Sequence, residues 1–142
     1  MTATNPLPIA IICDLDGTLA HLNGRSPYDA STCLDDGLNH SVAHIVRTYA
    51  ANGTTVLLVS GREARYRKAT ERWLEKHAIP YEALHMRPTR DFRKDAIVKT
   101  EIYYAHIHGQ YEVLFVLDDR NQVVEMWRGL GLTCLQVADG DF

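Results

Sequence analysis

Short apolar runs alternate along the chain with longer stretches in which apolar residues recur every three or four positions. The apolar runs predict five β-strands, at residues 8–14, 54–60, 81–86, 112–119 and 133–138. Several runs show no polar alternation, which is typical of strands in a parallel sheet that is covered on both faces. We therefore expect the sheet to lie between two other layers.

The stretches between the runs predict four helices, at residues 38–51, 63–77, 94–108 and 122–130. In the first stretch Val42, Val46 and Tyr49 share one helical face. Gly53 follows where a helix is expected to end. Because strands alternate with helices, the sequence predicts an α/β fold with a doubly wound, mainly parallel five-stranded sheet and right-handed crossovers.

Length and composition indicate one domain, at residues 1–142, in which residues 1–7 form a loose leader. The longest apolar run, Ile9–Cys13, is far shorter than the roughly 20 residues that a membrane-spanning helix needs. We therefore expect a cytoplasmic protein without a membrane partner. Cys13, Cys33 and Cys134 have no CxxC spacing, so we expect buried free thiols and neither disulfides nor a zinc site.

The net charge of −3 argues against a general nucleic-acid binder, but the charge is unevenly distributed. Residues 62–99 contain 11 of the 15 lysines and arginines and six acids, which leaves this segment at +5 and the rest of the chain at −8. The segment fits either an ordinary solvated helix face or an electrostatic track for backbone phosphates.

Polar side chains follow the predicted strands at the edge of the sheet where ligands bind in doubly wound folds. They are Asp14 and Asp16 after the first strand, Ser60, Gly61 and Arg62 after the second, and Asp118 and Asp119 after the fourth. Lys94 precedes the third predicted helix. Because the carboxyl ends of parallel strands meet at one edge, we expect these groups to converge.

Converging carboxylates repel one another unless a cation lies among them, and Mg²⁺ prefers such oxygen ligands. Asp14 is placed to attack a phosphorus atom, and Asp16 to protonate the leaving oxygen and later to activate water. Ser60, the backbone amide of Gly61 and the Lys94 ammonium group are expected to hold the phosphoryl oxygens.

Each of these motifs alone has an ordinary structural explanation, such as a turn or a helix cap. Their order along the chain is more specific. DxDGT follows a strand, SGR follows a second strand, a lysine precedes a helix, and DD follows a later strand.

This order resembles the haloacid dehalogenase superfamily of phosphotransferases. The chain is also similar to the 3′-phosphatase domain of bacteriophage-type polynucleotide kinase/phosphatases. The similarity lies in "DLDGTLAHLNGRSPYD", "VSGRE", "RKD" and "LDDRNQVVEMWRGLGLTCLQVADGDF". It implies a Rossmann-like phosphatase that uses Mg²⁺ and an aspartyl-phosphate intermediate and acts on the 3′ ends of DNA or RNA in nucleic-acid repair.

The resemblance also implies roles for individual residues. Asp14 would be the nucleophile, Asp16 the acid/base and Lys94 the phosphate-side cation. Asp14, Asp16 (through a backbone carbonyl), Asp118 and Asp119 would hold the metal. Thr18, Arg25, Ser60, Gly61 and Arg62 would contact the substrate, and Asp91 is a candidate for a further acid.

The segments 20–38 and 63–94 are too short for a cap domain of the kind that covers small substrates in this superfamily. An uncovered edge suits a phosphate at the end of a polymer, and the resemblance also allows opening of 2′,3′-cyclic phosphates. No GxxxxGK[ST] motif is present, so we expect no 5′-kinase activity from this chain. It fits either a free-standing phosphatase or a fragment whose kinase was removed, and a separate kinase or ligase is a candidate partner. Two alternatives stay open: a phosphatase of small phosphomonoesters such as nucleotides, and a non-catalytic phosphoacceptor module.

Overall fold

The computed structural model of the protein describes residues 5–142. Its strands within this range are β1 (Ile9–Cys13), β2 (Ala20–His21), β3 (Gly37–Leu38), β4 (Thr55–Glu63), β5 (Ala83–Arg87), β6 (Glu112–Asp118) and β7 (Cys134–Gln136). Its α-helices are α1 (His40–Ala51), α2 (Arg67–Lys76), α3 (Asp95–Ile102) and α4 (Asn121–Gly129). Every predicted strand and helix therefore has a counterpart in the described part of the chain.

Five strands form one sheet in the order β5-β4-β1-β6-β7, and each neighbouring pair is parallel. From the central strand β1 the chain passes to β4 and β5 on one side, and then returns to β6 and β7 on the other. The strand order therefore reverses beside β1. In doubly wound sheets such a reversal opens a ligand crevice at the carboxyl ends of the strands. The predicted α/β fold with a five-stranded parallel sheet is confirmed.

The sheet is covered on both faces, which explains why its central strand is an uninterrupted apolar run. Ile11 and Cys13 of β1 pack in one core, which is completed by side chains of α1 and α2 such as Val46 and Trp73. Ala10 and Ile12 pack in the other core, completed by side chains of α3 and α4, among them Val98, Val123 and Trp127. Successive β1 side chains thus face opposite layers, as the period of a strand requires.

The sequence did not predict the short antiparallel ribbon of β2 and β3. Ala20 pairs with Leu38 and His21 pairs with Gly37. Because residues 37 and 38 are paired in this ribbon, α1 begins at His40 and not at Leu38. The Asn39 side chain accepts a hydrogen bond from the Val42 N–H at 3.3 Å and so caps the helix.

The other predicted helices also differ from the observed ones at their ends. β4 continues to Glu63 past a register shift between Ser60 and Glu63, so α2 begins only at Arg67 after a 3₁₀ turn. We call this irregularity at residues 60–63 the bulge, and irregularities of this kind re-aim side chains next to functional sites. The third predicted helix is divided into α3 and a wider π-helical turn at Tyr103–Ile107.

The predicted leader lies partly outside the described residues, and residues 5–8 have no regular secondary structure. Within the described chain, no helix has the length and apolar character needed to cross a bilayer. All three cysteines are buried and free, as predicted.

Candidate active site

A cleft with a volume of about 440 Å³ opens at the carboxyl ends of the parallel strands. Its walls include Asp14 after β1, Arg62 in β4, Arg87 at the end of β5 and Asp118 at the end of β6. The topology therefore brings side chains from four different strands to one cleft. This is the edge of the sheet at which the sequence predicted a site.

Three buried aspartates form an acidic cluster at the cleft. One carboxylate oxygen each of Asp14, Asp118 and Asp119 lies within 4.8 Å of the other two. The ammonium group of Lys99 donates to Asp14 Oδ1 at 2.8 Å and to Asp118 Oδ2 at 2.9 Å. The Lys99 side chain is only 1% exposed, so this ion pair is shielded from water. Three carboxylates with one ammonium carry a net charge of −2 when all are ionised.

Burial sets the electrostatics of this cluster. Loss of water raises the pKa of Asp14 well above its usual value, and the Asp118 charge adds to this, although Lys99 acts in the opposite direction. The pKa of Asp119 is raised mainly by burial as well. Burial alone would lower the pKa of Lys99, but Asp118 and Asp14 raise it overall, so Lys99 stays protonated. Excess negative charge in a buried oxygen cluster is the environment that a divalent cation neutralises.

Neighbouring side chains fix the orientation of these carboxylates. The indole N–H of Trp127 donates to Asp118 Oδ2 at 3.2 Å, and the backbone N–H of Asp119 donates to Asp118 Oδ1 at 2.9 Å. The Thr18 hydroxyl lies 3.1 Å from Asp14 Oδ2 and 3.2 Å from Asp119 Oδ1. Trp127 is a core residue that also orients an acid of the site.

A second charged group, which we call the arginine network, consists of Asp16, Arg25, Asp36 and Arg62. Asp16 Oδ1 accepts hydrogen bonds from Arg25 Nη2 at 2.8 Å and from Arg62 Nη2 at 2.6 Å. Arg25 also binds both carboxylate oxygens of Asp36, at 2.9 and 2.7 Å. The Arg62 side chain is fully buried, whereas the Asp16 side chain is 19% exposed. Asp16 is therefore the most exposed member of the network at the cleft.

Asp36 joins the two arginines. Its Oδ2 accepts from Arg62 Nη2 at 3.1 Å in addition to Arg25. Its backbone carbonyl accepts from the Trp73 indole N–H at 2.9 Å, so the core on the α2 side anchors the network. Charged pairs with two parallel hydrogen bonds fix the orientation of a guanidinium group more strictly than single contacts do. Asp36 thereby sets the position of both arginines relative to Asp16.

Two glycines allow the close approaches that the site requires. Gly17 has φ +82°, and a Cβ atom there would overlap the Asp119 carboxylate. A Cβ atom at Gly61 would overlap the carboxylate of Asp95. Asp95 in turn accepts a hydrogen bond from Arg120 Nη1 at 3.1 Å and forms an ion pair with Arg87.

The structure brings together most of the predicted site residues, but not all of them in the expected way. Lys94 is the exposed N-cap residue of α3 at the cleft, and the lysine that contacts Asp14 is Lys99, one and a half turns further along the helix. The Asp91 carboxylate binds Arg93, whereas Asp95 reaches the bulge at Gly61. In this structure the acids are therefore contacted by Lys99 and not by Lys94, and the carboxylate that lies against Gly61 belongs to Asp95 and not to Asp91.

Only some of the predicted substrate-contacting residues line the cleft. Gly61 and Arg62 line the cleft, whereas Thr18 and Ser60 are buried behind it. The Ser60 hydroxyl accepts the Arg62 N–H at 3.1 Å and so stabilises the bulge. Arg25 reaches Asp16 from the side and is only 6% exposed.

The sequence contains a signal for Lys99 that was missed. Val98 and Ile102 belong to the buried face of α3, and Lys99 lies on that face beside them. A lysine on the buried face of a helix needs an acidic partner, and the aspartates after the strands could supply it. No sequence pattern indicates Asp36, because its contacts with Arg25 and Arg62 depend on the conformation of the loop between β2 and β3.

Residues 8–142 match the family described as the polynucleotide kinase PNKP phosphatase domain. The chain therefore belongs to this family and is a phosphatase with the haloacid dehalogenase fold. The resemblance that the motifs indicated is confirmed.

One relative in the comparison is a "Putative bifunctional polynucleotide kinase/RNA ligase" of Autographa californica nuclear polyhedrosis virus. It is 38% identical over 127 residues, which cover 87% of this chain and 18% of the viral protein. A chain in the "Structure of the Pnkp1/Rnl/Hen1 RNA repair complex" is 53% identical, with a TM-score of 0.94, over 99% of this chain and 47% of that chain. A chain in the "Structure of Pnkp1/Rnl/Hen1 complex" is 55% identical, with the same TM-score, over 96% of this chain and 48% of that chain. The chain thus spans less than half the length of each of these relatives.

Proposed function

We propose that this phosphatase removes 3′-phosphate groups from polynucleotide ends during nucleic-acid repair, with RNA ends as its main substrate. The observation that carries the proposal is the pairing of Asp14 with Lys99 beside a cleft that Asp14 and Asp16 both line. The names of the similar proteins, an RNA ligase fusion and RNA repair complexes, favour RNA over DNA.

In the proposed reaction, Asp14 acts as the nucleophile. One of its carboxylate oxygens attacks phosphorus, the bond between phosphorus and the 3′ oxygen breaks, and an aspartyl-phosphate forms. Lys99 supports this step because it lowers the pKa of Asp14, against the burial and the Asp118 charge that raise this pKa overall. We assign to Lys99 the role that the sequence assigned to Lys94, and we assign to Lys94 a contact with a backbone phosphate of the strand at the cleft mouth.

Asp16 is proposed as the acid and base. Within the described residues its Oδ1 carries all the hydrogen bonds from the arginines, which leaves Oδ2 to exchange a proton at the cleft. Asp16 gives a proton to the departing 3′ oxygen and then takes one from the water that attacks phosphorus and releases phosphate. Arg62 lines the cleft, and we propose that it also stabilises the transferring phosphoryl group.

The acidic cluster fits a Mg²⁺ ion, since its donors are all carboxylate oxygens and its net charge is negative. We propose Asp14 and Asp119 as direct ligands, with a backbone carbonyl of Asp16. The Asp118 oxygens already accept hydrogen bonds from Lys99, Trp127 and the Asp119 N–H, so Asp118 acts by orienting the others. A bound Mg²⁺ would neutralise the charge that otherwise repels the phosphate from Asp14.

An open cleft supports a polymer substrate. Between β1 and α1 the chain forms only the two-stranded ribbon and its loop, and between β4 and β5 it forms only a 3₁₀ turn and α2. Neither segment builds a separate domain over the cleft. Since kinase and ligase functions are named in the similar proteins, we also propose that this phosphatase acts together with such activities.

The proposal is tested with oligonucleotides that carry a 3′-phosphate, a 5′-phosphate or a 2′,3′-cyclic phosphate, in RNA and DNA form. We expect Mg²⁺-dependent phosphate release from 3′-phosphate ends but not from 5′-phosphate ends, faster on RNA, and loss of release in Asp14→Asn. Equal release from 5′ ends, or turnover of free nucleotides as fast as of oligonucleotides, would favour a small-molecule phosphatase instead.

A further inference from the structure

Two aromatic side chains stand almost free in solvent at the mouth of the cleft. Phe92 is 84% exposed and Tyr28 is 76% exposed, and both line the same cleft as Asp14 and Asp16. A phenylalanine ring left in water forgoes the free energy that its burial would contribute. Exposed rings beside a polar catalytic cleft therefore point to a ligand that covers them.

The loop that carries Phe92 is held in place by its neighbours. The Arg87 guanidinium donates to the backbone carbonyl of Asp91 at 3.0 Å and also to that of Arg93. The Asp91 carboxylate accepts the Arg93 N–H at 3.1 Å, and Glu63 Oε2 accepts the Arg90 N–H at 3.1 Å. These bonds fix the backbone on both sides of Phe92, so the ring is presented outward by a preorganised loop.

The loop that carries Tyr28 is also ordered by its own hydrogen bonds. Arg25 Nη1 donates to the carbonyl oxygens of Ser26 at 3.1 Å and Asp29 at 3.3 Å. The Tyr28 N–H donates to the Ser26 hydroxyl at 3.1 Å. Arg25 belongs to the arginine network, so the position of Tyr28 is tied to that of Asp16.

The two rings approach the cleft from different sides of the sheet. Phe92 follows β5, an edge strand, whereas the Tyr28 hydroxyl lies 3.4 Å from Nη2 of Arg120, which follows β6. The central strand β1, which leads to Asp14, lies between β5 and β6 in the sheet order. A strand whose 3′ end reaches Asp14 therefore enters a cleft that carries one ring on the β5 side and the other on the β6 side.

We propose that Phe92 and Tyr28 form an aromatic clamp that stacks on the unpaired bases next to the 3′-phosphate. The proposal rests on the proposed function and specifies its substrate as a single-stranded or frayed end that carries bases. Stacking on aromatic rings is tolerant of base identity and contributes much of the affinity of single-strand binding proteins. The clamp thus selects polymers with bases over bare phosphates without reading sequence.

The test compares two single-stranded oligonucleotides that share a 3′-phosphate and differ only in whether their last two nucleotides carry bases or are abasic. We expect the wild type to prefer the base-bearing end by about tenfold or more in kcat/KM, and Phe92→Ala with Tyr28→Ala to reduce that ratio to near one. Phe92→Trp is expected to keep the preference, because tryptophan stacks as well. Tyr104→Ala is the matched control, since Tyr104 is 55% exposed but does not line the cleft, and it should keep the wild-type ratio.

A wild-type ratio near one, or a ratio unchanged in the double variant, would overturn the clamp while leaving the phosphatase proposal intact. If the wild type releases no phosphate from either oligonucleotide, the proposed function fails and the clamp is then judged by binding. In that case the same four proteins and two oligonucleotides are compared by fluorescence anisotropy in EDTA. A base preference in Kd that only the double variant loses supports the clamp, and equal Kd values for both ends overturn it.

Discussion

Lys99 Nζ lies 2.8 Å from Asp14 Oδ1, and both side chains are withdrawn from water. Breaking a buried ion pair by removing one partner typically costs 3–5 kcal/mol, because the remaining charge keeps its desolvation penalty. Lys99 is also the only cation among the contacts that the described residues make to the Asp14 carboxylate.

We predict that Lys99→Met lowers the free energy of unfolding by about 3 kcal/mol in metal-free buffer, as measured by urea denaturation. The same variant should lower kcat for phosphate release at least about 100-fold, since Asp14 would then bind a proton more readily. Mg²⁺ is expected to restore part of the stability but not kcat, because it neutralises charge without holding Asp14 in position.

Lys94→Met serves as the control for this variant. Lys94 is exposed, so its removal should change the free energy of unfolding by less than about 0.5 kcal/mol. If Lys94→Met abolished turnover and Lys99→Met did not, the assignment of Lys99 as the supporting cation would be wrong.

The comparison of these two lysines shows which part of the site the sequence could specify. Asp14, Asp118 and Asp119 follow apolar runs, and the ends of parallel strands must meet, so their proximity could be predicted from the pattern alone. The rotation of α3 about its own axis decides whether Lys94 or Lys99 faces the acids, and packing of Val98 and Ile102 against the sheet sets that rotation. A motif that names only a lysine near a helix start does not contain this information.

The arginine network could not be predicted from sequence patterns, for a different reason. The Trp73 indole and the Asp36 carbonyl are 37 residues apart in sequence, and their hydrogen bond forms only after α2 has packed beside the loop that precedes β3. The loop has no periodicity that fixes its path, whereas the strands and helices do. A loop residue such as Asp36 could be predicted as part of the site only if it were already known which arginines it binds.

We predict that Asp36→Asn lowers kcat about 10-fold to 100-fold while changing KM little, because Arg25 and Arg62 lose the group that orients them around Asp16. The measurement is steady-state turnover of a 3′-phosphorylated oligonucleotide. Asp35→Asn is the matched control, since Asp35 is the exposed neighbour of Asp36 and should behave as wild type.

A double-variant cycle separates positioning from a general loss of stability. If Asp36 acts through Arg62, then Asp36→Asn should cost much less in an Arg62→Lys background than in the wild type. Fully additive losses would show that Asp36 does not act through this arginine.

The acidic cluster makes a prediction about stability without metal. Since the pKa of Asp119 is raised in the fold, its carboxylate opposes folding when it is ionised and no metal ion is bound. We predict that Asp119→Asn raises Tm in EDTA. We also predict that Mg²⁺ raises Tm of the wild type and fails to do so in this variant, because ligand binding to the native state stabilises it by mass action.

Thermal unfolding followed by circular dichroism at several Mg²⁺ concentrations measures both effects. Glu125→Gln on the exposed surface of α4 is the control for a lost negative charge, and its Tm should respond to Mg²⁺ as the wild type does. An Asp119→Asn protein that Mg²⁺ still stabilises fully would place the metal elsewhere.

A stacked histidine pair on the edge strand gives a pH-dependent prediction. The rings of His85 in β5 and His106 lie 4.6 Å apart at an interplanar angle of 11°. Burial lowers the pKa of His85 below its usual 6.5, and His106 and Arg67 lower it further. Because the folded pKa lies below the unfolded one, the contribution of His85 to stability is complete above about pH 6.5 and is lost as pH falls toward its folded pKa.

We predict that the free energy of unfolding of the wild type falls between pH 7.5 and pH 5.5 and that His85→Gln loses less over the same interval. Urea denaturation at both pH values measures the two differences. The control is His44→Gln, because His44 lies exposed on α1, away from the pair, and this variant should keep the wild-type dependence. An identical loss in His85→Gln and the wild type would show that protonation of His85 does not oppose folding.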